Sequence, residues 1–143
     1  MPVSDKTTRP GTRLAVIAEA LFLANLLVLP GIAFILLMLL YVHRRKEVSG
    51  LALAHLSQTV SASLWGGVLL VVINLLIIMM GGYQGVHTWI IVIIYFTLCH
   101  STLVLLGAYG LSKAIAGQCW RYPLIGRPLP SECRQKVMMT GAT

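Results

Sequence analysis

The sequence predicts an all-α integral membrane protein with three transmembrane helices. Its 143 residues are 57% hydrophobic and 10% charged, with a mean hydropathy of +0.85. Soluble domains carry about 25% charged residues, so a chain this short could not cover its apolar residues in water. Three apolar segments, about residues 14–42, 56–80 and 88–111, each exceed the roughly 20 residues that cross a hydrocarbon layer about 30 Å thick. The predicted organisation is a polar tail (1–13), a transmembrane domain (14–122) and a second polar tail (123–143).

The first span contains Pro30-Gly31 near its middle, where we expect the helix to bend because proline lacks a backbone donor. The span is too long for a signal peptide and no small-residue cleavage site follows it, so we expect it to remain in the mature protein. A chain that reversed at Pro30-Gly31 would return the N-terminus to the side of the first loop. However, only about 12 apolar residues follow Pro30, too few to cross alone, so three crossings are predicted.

The distribution of lysine and arginine predicts the orientation. Three crossings place eight of these residues on the side of the first loop and the C-terminus, and three on the side of the N-terminal tail. The positive-inside rule then puts the C-terminus in the cytoplasm, as for a multi-pass protein of a bacterial inner membrane. The net charge of +7 is assigned to these flanks, where it would meet anionic lipid headgroups, and nucleic-acid binding is not predicted.

The second and third spans carry small residues at helical spacing, which let helix backbones approach closely. The predicted packing residues are Ala62, Ser63, Gly66, Gly67, Gly107 and Gly110. Chance composition is the alternative, because glycine is common in membrane helices.

Polar residues in the apolar spans are candidate sites because they are costly in hydrocarbon. They are Glu19, Asn25, His55, Gln58, Asn74 and His100. Glu19 is expected near the headgroups or paired with Arg13 or another chain, with a proton or cation site as the alternative. His55 and Gln58 share one helix face and are expected to form hydrogen bonds or pack on the first loop.

His100 lies near the middle of the third span. Helix–helix hydrogen bonding is its expected role, and a haem or metal ligand is the sharper alternative. Adjacent Cys99 points about 100° away on a helix, so the two cannot easily share an ion, and neither a cofactor nor a metal is predicted. Cys119 and Cys133 have no CxxC spacing and lie on the predicted cytoplasmic side, so they are expected to be reduced.

The segment CWRYP follows the third span at about headgroup depth. Aromatic rings favour that depth and arginine can meet lipid phosphates, so Trp120, Arg121 and Tyr122 are predicted to anchor the chain at the interface. Pro123 then ends any helix.

The order of these features resembles a group of small bacterial membrane proteins of unknown function that are distantly related to the chloroplast inner-envelope import component of the Tic complex. The resemblance rests on AHLSQTVSASLW at the start of the second span and on AIAGQCWRYPLIGRPL after the third. In the second motif Ala114, Gly117 and residues 120–123 carry the match. The resemblance implies a compact α-helical unit without a catalytic motif.

No nucleotide-binding loop, nucleophile elbow or zinc-protease motif is present, so no enzyme activity is predicted. The leading hypothesis is a non-catalytic membrane subunit that packs with other transmembrane helices, its own or those of other subunits, as an accessory, assembly or structural component. A redox or proton-handling subunit that uses His100 or Glu19 is one alternative. An oligomeric pore or translocation component is another.

Overall fold

The computed structural model describes residues 11–48 and 50–140, which fold into α-helices without a strand in these ranges. The helices are α1 (Thr12–Leu27), α2 (Ile32–Arg44), α3 (Gly50–Gly67), α4 (Ile73–Gly81), α5 (Val86–Ile115) and α6 (Ser131–Thr140). A π-helical turn, Val68–Val72, joins α3 to α4, so that Gly50–Gly81 is one continuous helix. Of the two predicted tails, residues 1–10 and 141–143 lie outside the described ranges.

Within those ranges two helices, and not the predicted three, are long and apolar enough to cross a bilayer. They are Gly50–Gly81, with 32 residues, and Val86–Ile115, with 30 residues. At about 1.5 Å per residue they measure about 48 and 45 Å. The predicted first span is instead divided into α1 and α2, which have 16 and 13 residues and are only about 24 and 20 Å long.

The first span is divided because the chain reverses between α1 and α2. Pro30 cannot continue the hydrogen-bond ladder, and Gly31 has a φ of 86°, a conformation that favours glycine. The side-chain oxygen of Asn25 accepts a hydrogen bond from the Gly31 N–H at 2.9 Å. The side chains of Val28 and Leu29 at this tip are exposed and apolar. The turn is therefore an apolar hairpin tip whose Gly31 N–H is hydrogen-bonded to a side chain. The prediction that this segment crosses as one bent helix is wrong.

The hairpin packs against the two long helices. α1 contacts both α3 and α5, and α2 contacts α1 and α3. Ala18 of α1, Leu37 of α2 and Leu56 of α3 form one buried cluster. Gly107 brings α5 close to α1, because a Cβ there would lie only 2.9 Å from the ring of Phe22. Close packing therefore occurs within the chain, between the hairpin and the long helices.

Most chain segments that leave the helices meet at one end of the molecule. This end contains the start of α1, the end of α2, the start of α3, the end of α5 and the segment that follows α5. The α4–α5 turn lies at the other end. Every lysine and arginine of the described ranges belongs to this end, which we call the basic end. They are Arg13, Arg44, Arg45, Lys46, Lys113, Arg121, Arg127, Arg134 and Lys136.

Candidate functional site

A buried polar cluster joins α1, α3 and the segment that follows α5. Glu19, His55 and Tyr122 are all fully buried. The Oε1 atom of Glu19 lies 2.7 Å from Nδ1 of His55, and the Tyr122 hydroxyl donates to Oε2 of Glu19 at 2.6 Å. The other imidazole nitrogen, Nε2, lies 2.9 Å from the carbonyl oxygen of Gln118. Two residues predicted as separate intramembrane polar groups, Glu19 and His55, therefore meet each other and a tyrosine that lies far along the chain.

The hydrogen-bond partners determine where the protons of this cluster lie. A backbone carbonyl only accepts, so Nε2 of His55 must carry a hydrogen and donate to Gln118. One further proton is shared between Nδ1 and Oε1 of Glu19. The pair has a net charge of zero whether that proton lies on the imidazole or on the carboxyl group. Neutrality and complete hydrogen bonding explain how the pair is accommodated in an interior where an unpaired charge would be costly.

The phenol of Tyr122 completes the cluster as a donor. Burial, and then the neighbouring Glu19, raise the pKa of Tyr122 far above its ordinary value, so the hydroxyl stays protonated. Its ring packs edge-on against Phe22, with a centroid distance of 5.7 Å. Gly110 of α5 makes room for the cluster, because a Cβ there would lie 2.7 Å from Oε2 of Glu19 and 2.8 Å from the Tyr122 oxygen.

One polar face of α3 binds the segment of residues 116–130, which we call the C-terminal loop. Gln58 and Ser61 follow His55 at intervals of about one helical turn, so the three side chains point the same way. Gln58 donates to the carbonyl of Arg127, and Ser61 donates to the carbonyl of Ile125 at 2.8 Å. With the bond from His55 to Gln118, three α3 side chains pair carbonyls of a loop without regular structure. His55 and Gln58, which were expected to form hydrogen bonds or to pack on the first loop, form hydrogen bonds to this later loop.

A disulfide bond connects the C-terminal loop to α6. Cys119 and Cys133 are bonded, with their Cα atoms 5.7 Å apart. Both cysteines were predicted to be reduced, whereas the structure joins them in a disulfide. The sequence shows no CxxC pair, and the bonded residues are brought together only because α6 folds back toward the start of α3, where Glu132 approaches Gly50. Cys99 is a free thiol.

Only part of the predicted interfacial anchor is at the surface. Arg121 is exposed, and its Nε donates to the carbonyl of Gly126 at 3.2 Å. Trp120 is partly buried and packs between Tyr109 and Tyr122, at centroid distances of 5.1 and 4.5 Å. Tyr122 itself points into the interior, because Glu19 offers its hydroxyl a buried acceptor. The sequence contains both residues, but 103 positions separate them.

The other predicted polar residues lie away from the cluster. Asn25 stabilises the hairpin tip, and Asn74 donates to the carbonyl of Leu70 in the π-helical turn at 2.8 Å. His100 stacks on Phe96, with ring centroids 5.3 Å apart, and its buried Nδ1 has no hydrogen-bond partner within residues 11–48 and 50–140. No three His, Cys, Asp or Glu residues of the described ranges are grouped to hold a metal ion.

The predicted packing residues divide into two sets. Five of them are buried within the chain: Ala62, Ser63, Gly66, Gly107 and Gly110. Gly67 alone faces open space, with no atom within 4 Å of the position that its Cβ would occupy.

The cluster can hold three parts of the chain together, but it offers no free ligand for a reaction. Both oxygens of Glu19 and both nitrogens of His55 are hydrogen-bonded inside the protein. A general base or metal ligand needs an accessible atom, which this cluster lacks. The comparisons with known proteins add no further indication, since no family model, curated protein or solved structure matches the chain.

Proposed function

We propose that this protein is a non-catalytic integral membrane subunit whose outer helical surface packs against other transmembrane helices. The observation that carries this proposal is the exposure of its most apolar helices. In the most hydrophobic 18-residue windows of Gly50–Gly81 and Val86–Ile115, only 11% of the residues are buried. The core helix of a water-soluble protein would be largely buried, whereas a helix in a bilayer can expose apolar side chains to lipid.

The hairpin tip supports the same placement. A turn inside hydrocarbon must pair its backbone groups within the protein. Asn25 does this for Gly31, and the Ala24 carbonyl of α1 accepts bonds from the N–H groups of Val28 and Leu29. We propose that the two long helices cross the bilayer, while the α1–α2 hairpin enters from the basic end and turns back inside it. The lysines and arginines of the basic end favour the cytoplasmic side, since the α4–α5 turn has none, whereas the Cys119–Cys133 disulfide at the same end is typical of an oxidising compartment.

The buried cluster supports a structural role rather than a chemical one. It fastens the hairpin and the C-terminal loop to the end of the long helices by bonds that leave no reactive atom exposed. A proton path would need this carboxyl group to contact water. A stable platform with an apolar outer surface fits an accessory or assembly subunit better.

The small residues first assigned to association are mostly used inside the chain, so a partner helix needs another surface. The outer face of α5 offers one. Ile94, Thr97, Ser101 and Ala108 are all exposed there, and Thr97 and Ser101 lie one turn apart as a small-residue pair. Such pairs permit close helix approach, and hydroxyl groups add hydrogen bonds between helices.

Site-specific photo-crosslinking in native membranes tests this proposal. p-Benzoylphenylalanine is placed at Ile94, and at Leu39 on the outer side of α2 as a matched exposed control. The expected result is a discrete protein adduct from position 94 and lipid adducts alone from position 39. The Ser101→Leu change should reduce the adduct from position 94, because a large side chain separates the helices. Lipid adducts alone from both positions would overturn the packing proposal.

A further inference from the structure

A cavity of about 460 Å³ lies between the hairpin tip and the two long helices. It is away from the buried cluster, and its walls are predominantly apolar. The hairpin tip contributes Gly31, the long helices contribute Ser63, Gly67, Phe96 and His100, and the π-helical turn contributes Leu70. The cavity is thus lined by the hairpin tip, both long helices and the π-helical turn.

Two polar atoms at this cavity have no hydrogen-bond partner among the described residues. Ser63 is 5% exposed, and its hydroxyl oxygen is buried and unpaired. The Nδ1 atom of His100 is buried and unpaired as well. Three other buried atoms of the described ranges are also unpaired, the Thr12 hydroxyl, Gln58 Oε1 and Asn74 Oδ1, and none of these residues lines the cavity. Unpaired buried polar atoms are costly, and the two of these five that meet at one cavity favour a group that is bound there.

The backbone around the cavity keeps it open. The π-helical turn widens the long helix at the cavity wall, and such turns are frequent at functional sites. The carbonyls that the turn displaces are paired by side chains: Tyr95 donates to Leu69 and Asn74 donates to Leu70. Gly67 leaves the space in front of it empty. The distortion is therefore stabilised by bonds outside the cavity, while the cavity itself keeps its two unpaired groups.

We propose that this cavity binds a membrane-soluble molecule with an apolar body and a planar, carbonyl-bearing head, the chemical class of the lipid-soluble quinones. The Ser63 hydroxyl donates to one carbonyl oxygen, and the His100 imidazole, with its hydrogen on Nδ1, donates to a carbonyl oxygen as well. Phe96, which lines the cavity and stacks on His100 with ring planes 10° apart, offers an aromatic surface to a planar ring. The apolar tail leaves between the helices into lipid. This inference concerns binding alone, and it rests on the bilayer placement proposed above.

Nitrogen-15 spectra of histidine-labelled protein in lipid nanodiscs test the proposal. The probe is decylubiquinone, and n-decylbenzene, which has a ring and the same tail but no carbonyl, is the matched control. Decylubiquinone should shift the His100 Nδ1 resonance in a saturable way. The His55 resonances should stay in place, since both nitrogens of that ring are already bonded to the protein. Ser63→Ala should weaken binding about 5-fold, the effect of one hydrogen bond of about 1 kcal/mol.

The variant His100→Phe keeps an aromatic ring beside Phe96 but removes the nitrogen that reports binding, so its decylubiquinone affinity is measured by quenching of tryptophan fluorescence, and it should be lower than that of the native protein measured in the same way. Unchanged His55 resonances show that each variant is folded. Equal affinity for n-decylbenzene and decylubiquinone, or equal affinity of the native protein and Ser63→Ala, would overturn the proposal, because the polar groups would then have no part in binding. Absence of a shift with decylubiquinone would overturn it too. The photo-crosslinking at position 94 uses another face, so either proposal can fail while the other stands.

Discussion

Removing the Tyr122 hydroxyl is the most direct test of the buried cluster. In Tyr122→Phe the ring remains, so its edge-on contact with Phe22 is retained. What is lost is the 2.6 Å hydrogen bond to Oε2 of Glu19. Because both side chains are fully buried, water cannot replace the missing donor, and the Glu19 oxygen is left unpaired.

The expected loss follows from that geometry. An unpaired buried polar group costs about 1–3 kcal/mol, and bonds to carboxylates are among the stronger ones. We therefore expect Tyr122→Phe to lower the free energy of unfolding by about 2 kcal/mol, which is about 30-fold in the folding equilibrium. The loss should appear as a shift of the unfolding midpoint, since the surface exposed on unfolding is almost unchanged.

Unfolding by sodium dodecyl sulfate in dodecylmaltoside micelles provides the assay, followed by far-ultraviolet circular dichroism and by tryptophan fluorescence. With Trp65 and Trp89 replaced by phenylalanine, the remaining Trp120, whose ring centroid lies 4.5 Å from that of Tyr122, reports release of the C-terminal loop. Tyr109→Phe is the matched control, because Tyr109 also packs on Trp120 but is half exposed. Equal stability of the two variants would refute the argument that the Tyr122–Glu19 bond fastens the loop.

Three further predictions use the same unfolding assay or site-directed labels. Gly110→Ala should lower the free energy of unfolding by more than about 2 kcal/mol, because its methyl group is forced against the buried cluster. Gly67→Ala should leave that free energy unchanged or raise it by up to about 1 kcal/mol, because its methyl group meets open space. Equal effects of the two variants would contradict the packing described. Cys133→Ser should cost about 3 kcal/mol, as expected for a closed loop of this length, and a reducing agent should have the same effect on the native protein and none on the variant. Nitroxide labels in vesicles should find Leu29 accessible to oxygen and shielded from a water-soluble nickel chelate, and Gln84 accessible to the chelate; a Leu29 label in water would exclude a hairpin that turns inside the bilayer.

Composition and hydropathy were enough to predict the helical class and the two long apolar helices. The predicted spans 56–80 and 88–111 lie within the observed Gly50–Gly81 and Val86–Ile115, because a long run of apolar residues with strong helix propensity forms a helix without help from distant parts of the chain. The glycines on α5 also carried a local signal, since a small residue at a helix face permits close approach wherever the neighbour comes from.

The course of the first segment and the buried cluster depended on tertiary contacts. Pro30-Gly31 is compatible with a bend or with a reversal, and the reversal is formed by a paired turn and by the packing of Leu37 against Ala18 and Leu56. The sequence alone determined which polar residues lie within its apolar segments. Only the folded structure decided that Glu19 meets His55 and Tyr122, because a buried polar group takes its partner from whichever segment the packing brings within about 3 Å, regardless of its distance along the chain.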